Sequence, residues 1–461
     1  MWLWGLMTAT GGVPAGSLRS SDRSIALAAL ARRSALDDIE RVAGRCVLVA
    51  VSDQLSAAVS LIELDGVARR IVLWPPGLGN EHIRHVISQA EVEICLTDSV
   101  AMTASASQIG IESRMFDGTD LSVAIAERRQ AFQTEWVLLT SGTTGTPKLV
   151  LHTLATLTDA FRTRVEHSNA IVWGTFYDIR RYGGLQILLR ALCCGSMVLS
   201  SATESVAEFL ARLRGAGATH VSGTPSQWRR VLMSGDFAGT APRYIRLSGE
   251  VADQSILDSL RAAFPSAIVA HAFASTEAGV GFEVEDGRAG FPATLIGYNE
   301  IAELKVVDGT LRVRSDGNAV RYLGAGSPNL RADDGFVNTG DRVEERDGRY
   351  VFKGRVGGVI NVGGLKVYPE EVEAVINSHP WVEVCRVSAR RSPITGAVVT
   401  AEVVAAVEAD DGSECPSDRE LTNQIVEICR AALEPYKVPA TIRIVRALEV
   451  SASGKLVRPN A

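Results

Sequence analysis

Up to about residue 300, apolar segments alternate with capped amphipathic segments along the chain. Residues 46–51 are all apolar, which is typical of a strand buried in a parallel sheet. Amphipathic periods follow Asn80, Thr203 and Asp253, and each of these residues is a suitable N-cap for a helix. Another short apolar run occupies residues 267–270. The repeated order of strand and helix predicts mostly parallel sheets with helices packed on their faces.

The pattern changes after about residue 300, where short strand-like segments are joined by turn sequences. Asp308-Gly309 and Asp347-Gly348 predict two β-hairpins. Pro369 is well placed as the first residue of a helix, and strands and a second long helix follow it. These patterns predict an α/β protein with a large domain over residues 1–353, which includes a β-rich part, and a small α+β domain over residues 354–461.

Length, charge and cysteine content narrow the class of protein. A chain of 461 residues is too long for one core, at roughly 150 residues per domain. The net charge of −6 comes without a basic stripe, so nucleic acid is not expected as the main partner. The seven cysteines are scattered, as in a reduced cytoplasmic protein. The Gly/Ser-rich residues 1–22 are expected to be irregular, without a signal peptide, and no segment is apolar enough to span a membrane.

One dense polar segment stands out before residue 150. An apolar strand leads into a loop of hydroxyls and glycines that ends on a lysine: Thr140, Ser141, Gly142, Thr143, Thr144, Gly145 and Lys148. Glycines let backbone amides turn toward an anion, hydroxyls donate hydrogen bonds, and lysine adds a positive charge. The spacing is not that of a Walker A loop. The segment predicts a polyphosphate-binding loop, and a plain polar turn is the alternative.

Four further segments follow the polar loop. They are His271-Ala272-Phe273-Ala274-Ser275-Thr276-Glu277, Asn338-Thr339-Gly340-Asp341, the stretch from Gly354-Arg355 to Glu373, and Ser453 to Arg458 around Lys455. In this order, the five segments resemble the sequence blocks of the AMP-forming adenylating enzymes. That family includes acyl-CoA synthetases, the adenylation domains of nonribosomal peptide synthesis and firefly luciferase. The resemblance covers the chain from Thr140 nearly to its end, and the part before Thr140 is short for the family.

The resemblance implies an ATP-dependent ligase that forms an acyl-adenylate and releases pyrophosphate. It places the loop 140–148 on the β- and γ-phosphates, Mg²⁺ on Glu277 beside Thr276, and a mobile Lys455 on the carboxylate and α-phosphate. Phosphoryl chemistry depends on such positioned cations because charge builds on the phosphate oxygens. It also implies a nucleotide site made of Gly249, Glu250, Val251, His271, Ala272, Phe273, Asp341 and Arg355. Read alone, Glu277, Phe273 and Asp341 have less favoured alternatives as ordinary loop, core and turn residues, and Arg355 alone would more often be a surface arginine.

The acid substrate is expected to bind near residues 176–186 and Gly223. Tyr177, Asp178, Arg180 and Arg181 make this segment too charged for a fatty-acid tunnel, because a buried unpaired charge is costly. One hypothesis is that Arg180 or Arg181, with Asp178, meets a polar or acidic group of the substrate. The alternative is an internal Asp–Arg pair.

The acyl acceptor separates the remaining hypotheses. Gly363 and Gly364 resemble the family's strand beside a pantetheine tunnel, where their lack of side chains lets backbone approach a thiol arm. Transfer to coenzyme A is the first hypothesis. Loading of a carrier-protein phosphopantetheine, or amide formation, is the alternative, and a non-catalytic nucleotide-binding relic is a third. Gly357-Gly358 replace the acidic residue usual at the family's hinge, and Ala274 replaces its usual glycine.

Overall fold

The computed structural model describes residues 2–9, 12, 14–140, 146–162, 171–324, 326–392, 396–406 and 416–449. The α-helices in this part of the chain are α1 (Leu3–Met7), α2 (Gln54–Leu64), α3 (Ile83–Ala90), α4 (Val100–Ser107), α5 (Leu154–Arg162), α6 (Tyr182–Cys194), α7 (Val206–Gly215), α8 (Pro225–Ser234), α9 (Gln254–Ala263), α10 (Pro369–Ile376) and α11 (Asp418–Ala432). Within the described residues, no helix is both long and apolar enough to cross a bilayer.

The strands are distributed along the whole chain. They are β1 (Ser17–Arg19), β2 (Ser24–Ala26), β3 (Arg33–Ser34), β4 (Cys46–Ala50), β5 (Arg70–Leu73), β6 (Ile94–Thr97), β7 (Glu112–Met115), β8 (Val123–Ala124), β9 (Glu135–Thr140), β10 (Lys148–Thr153), β11 (Ile171–Thr175), β12 (Gly195–Leu199), β13 (His220–Gly223), β14 (Tyr244–Ser248), β15 (Ile268–Ser275), β16 (Gly279–Val284), β17 (Phe291–Pro292), β18 (Gly297–Tyr298), β19 (Glu303–Val307), β20 (Thr310–Arg314), β21 (Arg321–Leu323), β22 (Val337–Arg346), β23 (Arg349–Arg355), β24 (Ile360–Val362), β25 (Leu365–Val367), β26 (Val382–Ser392), β27 (Gly396–Ala405) and β28 (Thr441–Ile444).

Two large sheets form the first part of the molecule. One has the order β16-β15-β14-β13-β11-β12-β1-β2, and its strands β15, β14, β13, β11, β12 and β1 are mutually parallel. The other has the order β21-β10-β9-β5-β4-β6-β7, with a parallel core from β9 to β7. The prediction of mostly parallel sheets is confirmed, and antiparallel strands lie only at the edges of the two sheets as described.

Apolar residues of the two sheets meet in one core between them. Helices α2 and α6 contribute to this core, and every residue of α2 is buried, so the helix lies between the sheets. The outer face of the seven-stranded sheet packs on α3 and α4, and the outer face of the eight-stranded sheet packs on α7, α8 and α9. Helices and sheets therefore alternate in five layers, which is the arrangement that strands buried on both faces require.

A β-rich unit and a small α+β unit complete the described chain. The β-rich unit is the sheet β17-β23-β22-β20-β19-β18, and Asp308 and Asp347 adopt positive φ in its hairpin turns as the turn sequences predict. The small unit packs α10 and α11 on β26, β27 and β28. Both units agree with the predicted order of elements. The boundary between residues 353 and 354 stays a prediction, and it falls inside strand β23.

The local helix signals hold at α9 and α10 but fail at two predicted N-caps. Asn80 does not cap α3, because it lies in a short 3-10 turn whose N-cap is Gly79, and His82 precedes α3 without a side-chain cap. The side chain of Asp253 accepts a hydrogen bond from the amide of Ile256 at the start of α9, and Pro369 is the first residue of α10. The prediction that Thr203 caps α7 is wrong by two positions. Ser205 is the N-cap, because its side chain and that of Glu208 satisfy each other's backbone amides in a capping box.

The expectation of an irregular N-terminus is wrong for much of that segment. Residues Leu3, Trp4 and Met7 are buried on α1, and the amide of Leu3 donates a 2.5 Å hydrogen bond to Asp65. Strand β1 then joins the edge of the eight-stranded sheet beside β12. The glycines and serines lie between these anchored pieces, so composition alone does not indicate the order that the apolar side chains provide.

Candidate functional site

The segments singled out in the sequence follow neighbouring parallel strands of the eight-stranded sheet. Tyr177 comes after β11, Gly223 ends β13, Gly249 follows β14, and Thr276 follows β15. The carboxyl ends of parallel strands lie at one edge of a sheet, and ligands of α/β proteins bind outside that edge. The structure therefore collects the predicted acid-binding and nucleotide-binding segments at a single edge.

Thr276 and Glu277 occupy the tight turn between β15 and β16. Gly279 closes this turn at φ +68°, and a Cβ atom there would lie 2.5 Å from the carbonyl oxygen of Gly317, so no other residue fits. The Nε2 atom of His152 lies 2.7 Å from the carbonyl oxygen of Thr276. Because only an N–H can bond a carbonyl, this contact assigns the proton to Nε2. Buried His152 thus fixes the backbone next to Glu277.

Lys148, Tyr322 and Glu277 form a connected group. Strand β21 pairs with β10, which places Tyr322 opposite Val150. The ammonium of Lys148 lies 5.4 Å from the centre of the Tyr322 ring, and the Tyr322 hydroxyl donates a 3.2 Å hydrogen bond to Oε1 of Glu277. Burial, with the adjacent Glu277, raises the pKa of Tyr322 above its usual value, so the phenol stays a donor. The end of the polar loop is therefore held beside the predicted magnesium ligand.

The remainder of the polar loop and the C-terminal lysine lie outside the described residues. This applies to the loop residues Ser141, Gly142, Thr143, Thr144 and Gly145 and to Lys455. The two ends of the loop are described: Thr140 is the last residue of β9 and pairs with Lys148, the first residue of β10. The loop thus joins two antiparallel neighbours at the carboxyl end of β9.

Asp341 and Arg355 are paired across β22 and β23. Nε of Arg355 donates a 3.0 Å hydrogen bond to Oδ1 of Asp341, and its Nη2 donates to the carbonyl of Thr339 over 3.2 Å. Burial alone would lower the pKa of Arg355, but the negative charge of Asp341 raises it. The negative charge of Glu277 also raises the pKa of Arg355, less than that of Asp341 does.

The residues predicted to bind adenine come from two neighbouring strands, and the first group follows β14. Gly249 has φ +86°, and the carboxylate of Glu250 accepts a 2.9 Å hydrogen bond from the amide of Ser226 at the start of α8. Val251 is exposed. The chain therefore turns sharply after β14, which leaves an open segment of backbone at residues 249–251.

Strand β15 carries the other residues of the adenine prediction. The ring of Phe273 stacks on those of Phe282 and Phe352, with centroids 5.7 and 5.6 Å away, so it packs against the β-rich unit. Ring atom Nε2 of His271 donates a 3.0 Å hydrogen bond to the carbonyl of Arg288, and burial lowers the pKa of this histidine. Ala272 is buried on the opposite face. Contact of these residues with adenine stays a prediction.

The charged segment after β11 contains the internal Asp–Arg pair that the sequence left as an alternative. Arg180 contacts both carboxylate oxygens of Asp178, through Nε at 2.8 Å and Nη2 at 2.5 Å, and also bonds the carbonyl of Val51. Arg181 donates to the carbonyl of Pro76 over 2.8 Å. The pair Asp178–Arg180 therefore ties this loop to the seven-stranded sheet.

Tyr177 and Gly223 lie closer to the strand ends. The buried hydroxyl of Tyr177 lies 2.7 Å from the carbonyl of Ser248, to which it donates, and burial raises its pKa to about 12. A Cβ atom on Gly223 would lie 3.0 Å from the ring of Phe176, so glycine lets the two segments approach. These contacts place the ends of β11, β13 and β14 side by side.

Gly363 and Gly364 form the turn of the hairpin β24–β25, and both have positive φ. Glycine adopts positive φ without steric strain, so it suits both positions of this turn. A Cβ atom on Gly364 would meet nothing within 4 Å, so the hairpin tip is open. Its approach to a pantetheine arm stays a prediction.

The donor set around Glu277 fits magnesium better than a softer metal. Across the described residues, no group of three or more His, Cys, Asp or Glu side chains could hold a metal ion. Mg²⁺ is commonly held by one or two carboxylates together with substrate phosphates and water. A single carboxylate beside a phosphate loop agrees with that mode of binding.

Sequence reasoning missed Tyr322 and His152. His152 lies four residues after Lys148 on β10, so the alternation of side chains along a strand could have placed both on one face. Tyr322 has no such signal, because it comes from a short edge strand far along the chain, and only the β10–β21 pairing brings it to Glu277.

Solved structures show the same fold. A structure of the anthranilate CoA ligase AuaEII in complex with anthranoyl-AMP superposes with a TM-score of 0.80 at 18% identity, over 99% of this chain and 95% of that one. The family model for the AMP-binding enzymes matches residues 67–320, and the model for the AMP-binding enzyme C-terminal domain matches residues 371–455. The chain therefore belongs to the AMP-binding enzyme family, the adenylate-forming ligases, as the sequence blocks predicted.

Curated relatives differ in their acyl acceptor. The medium/long-chain-fatty-acid–[acyl-carrier-protein] ligase FadD10 of Mycobacterium tuberculosis is 34% identical over 154 residues, which cover 32% of this chain and 27% of FadD10. The 2-succinylbenzoate–CoA ligase of Salmonella typhimurium is 31% identical over 255 residues, or 53% of this chain and 52% of that ligase. The chain thus matches only about a quarter to a half of the length of these two relatives.

Proposed function

We propose that this protein activates a carboxylic acid with MgATP and transfers the acyl group to the thiol of coenzyme A. The observation that carries the proposal is the group Lys148, Tyr322 and Glu277, with Arg355 and Asp341 within electrostatic reach. It joins a cation at the end of the proposed phosphate loop to a carboxylate that we propose for magnesium, and Asp341 with Arg355 is the pair that we propose for ribose.

In the first half-reaction, a carboxylate oxygen of the acid bonds to the α-phosphorus of ATP, and the bond to the pyrophosphate oxygen breaks. Lys148 and the hydroxyls of the loop 140–148 hold the departing pyrophosphate. Asp341 accepts hydrogen bonds from the ribose hydroxyls while Arg355 orients its carboxylate. Glu277 would hold Mg²⁺, which would supply positive charge against the phosphate oxygens. Lys455, which lies outside the described residues, supplies the positive charge at the α-phosphate.

In the second half-reaction, a thiol sulfur bonds to the acyl carbon and AMP leaves. The open hairpin at Gly363 and Gly364 is the proposed approach for a pantetheine arm. A carrier-protein phosphopantetheine is the second candidate acceptor, because FadD10 is named a ligase for an acyl carrier protein. The succinylbenzoate ligase, by its name, uses coenzyme A.

Acid-dependent exchange of pyrophosphate into ATP tests the first half-reaction without an acceptor. We expect exchange with at least one acid of a broad panel, and loss of exchange with retained ATP binding in Lys455→Ala. Exchange with no acid would favour a nucleotide-binding relic, and undiminished exchange in K455A would remove Lys455 from the mechanism.

The same acids, incubated with and without coenzyme A, identify the acceptor. A thioester formed together with AMP supports the ligase. Exchange without any thioester would instead support a carrier protein or an amine as the acceptor.

A further inference from the structure

One face of α6 carries polar groups in the space between the two large sheets. Tyr182, Gln186 and Arg190 are spaced four residues apart and so share this face. The amide nitrogen of Gln186 donates to the carbonyl of Leu157 over 2.6 Å, but its Oε1 is buried without a partner among the described residues. Nε of Arg190 is likewise buried and unpartnered there, and Cζ of Arg190 lies 4.8 Å from the ring centroid of Phe161.

A second arginine lies on the eight-stranded sheet and already has its counter-ion. Nε of Arg246 donates a 2.8 Å hydrogen bond to Oε2 of Glu283, and Arg246 is 3% exposed. The Tyr244 hydroxyl also bonds Glu283. Burial alone would raise the pKa of Glu283, but the guanidiniums of Arg246 and Arg190 lower it to about 2. Glu283 is therefore ionised and committed to Arg246.

The charges of this cluster do not balance. Arg190 and Arg246 face one carboxylate, Glu283, and Arg190 has no ion pair within the chain that the structure describes. Burial, followed by repulsion from Arg246, lowers the pKa of Arg190, in agreement with the lack of an ion pair, while Glu283 acts in the opposite direction. Arg190 is only partly buried as a residue, but its Nε is buried without a partner among the described residues. An uncompensated guanidinium of this kind favours an anion that enters from outside.

The cluster adjoins the candidate active site. The ring of Tyr182 lies 5.7 Å from that of His152, which fixes the backbone of Thr276. On β14, Ser248 lies two residues from Arg246, pairs with Tyr177 and is followed by Gly249. Glu283 lies opposite Ala272 of β15, four residues before Thr276.

We propose that Arg190 is the specificity residue of the acid-binding site, and that the substrate acid carries a second, negatively charged group which pairs with this guanidinium. The inference rests on the proposed function, and it names the substrate class: a dicarboxylic acid or an aromatic acid with a second anionic substituent. Arg190 takes the role that the sequence suggested for Arg180, because the guanidinium of Arg180 is already bonded to Asp178 and to the carbonyl of Val51.

Pyrophosphate exchange with matched acids tests this proposal. The probes are hexanoate against adipate, and benzoate against terephthalate. Within at least one pair, we expect wild-type kcat/KM to favour the diacid by on the order of 100-fold, because a built charge pair discriminates strongly against a substrate that lacks the charge. Arg190→Met is expected to remove this preference, because the diacid loses its charge partner and its kcat/KM falls to that of the matched monoacid.

Two further variants separate recognition from stability. Arg190→Lys keeps the charge and should keep a weaker diacid preference, which a purely structural role would not predict. Arg84→Gln removes one exposed arginine on α3 and should leave the preference unchanged. Equal use of monoacids and diacids by the wild type, or an unchanged ratio in R190M, would overturn the proposal. Exchange with no acid at all would instead overturn the proposed function and this inference with it.

Discussion

The hydroxyl of Tyr322 donates a 3.2 Å hydrogen bond to Oε1 of Glu277. The two residues come from different sheets: Tyr322 lies on an edge strand of the seven-stranded sheet, and Glu277 follows β15 of the eight-stranded sheet. This contact therefore joins the phosphate-loop side of the site to the side that carries the carboxylate. It also restricts which orientation of Glu277 can meet a metal ion.

Tyr322→Phe should slow adenylation without unfolding the protein. A hydrogen bond to a charged group is worth about 1.5–3 kcal/mol, so we expect kcat/KM for pyrophosphate exchange to fall by about 10-fold. Tyr298→Phe changes a tyrosine that is 87% exposed and serves as the control. Equal exchange rates in Y322F and the wild type would show that Glu277 does not depend on this donor.

Asp341→Asn should weaken ATP binding more than it slows the chemical step. The amide replaces the carboxylate that Arg355 contacts over 3.0 Å and that is proposed to accept the ribose hydroxyls. We expect the KM for ATP to rise by about 10-fold, as for loss of a charge-assisted hydrogen bond. The exposed Asp333→Asn is the control, and an ATP KM unchanged in D341N would remove Asp341 from the ribose site.

His152 makes the stability of the large domain dependent on pH. Burial lowers its pKa to about 4, against an ordinary value of 6.5, so the folded state keeps the ring neutral. The unfolded chain binds the extra proton first, and stability is therefore lost as the pH falls from 6.5 to 4, by about 3 kcal/mol in total. Chemical denaturation across this range should show a steeper slope for the wild type than for His152→Gln. Identical slopes would contradict the buried neutral histidine.

Glu371 joins the small unit to the strand before the proposed hinge. Its Oε1 lies 2.6 Å from the ammonium of Lys353 on β23 and 3.0 Å from that of Lys437, and all three side chains are at most 15% exposed. Glu371→Gln leaves Lys353 and Lys437 with only the more exposed carboxylates of Glu344 and Glu434, and should lower the free energy of unfolding by about 2 kcal/mol.

The matched control for that variant uses the same lysine. Glu344 contacts Lys353 over 3.3 Å but is 48% exposed, so Glu344→Gln should change stability by no more than about 0.5 kcal/mol. Urea denaturation measures both variants. A loss as small in E371Q as in E344Q would show that the Glu371 contacts do not tie the two parts of the chain.

Local signals predicted the elements of the fold well, because helix caps and turns act within a few residues. Asp253 caps α9, and Asp308 and Asp347 take the positive φ that their Asp-Gly turns require. The predicted N-cap Thr203 lies two residues before the true N-cap, Ser205. Ser205 is favoured because it forms a capping box with Glu208, and a prediction from the cap residue alone does not consider that second residue. The family was predicted correctly because five sequence segments resemble the blocks of the adenylate-forming ligases and occur in the same order.

Contacts distant in sequence were much harder to predict from the chain. The sequence raised Arg180 as a substrate contact and left its pairing with Asp178 open, because the decisive third contact is the carbonyl of Val51 in another sheet. Arg190 was not predicted as a site residue, because a single arginine in an otherwise apolar helix indicates a position exposed to solvent. Only the structure shows that its Nε is buried without a partner among the described residues.

Oxygen transfer from the acid to AMP tests the central claim most directly. The protein is incubated with MgATP, coenzyme A and an accepted acid labelled with ¹⁸O in its carboxylate, and the AMP is analysed by mass spectrometry. Attack of the carboxylate on the α-phosphorus predicts AMP that carries one ¹⁸O atom, together with unlabelled pyrophosphate. Unlabelled AMP, or ADP with labelled phosphate, would contradict an acyl-adenylate intermediate.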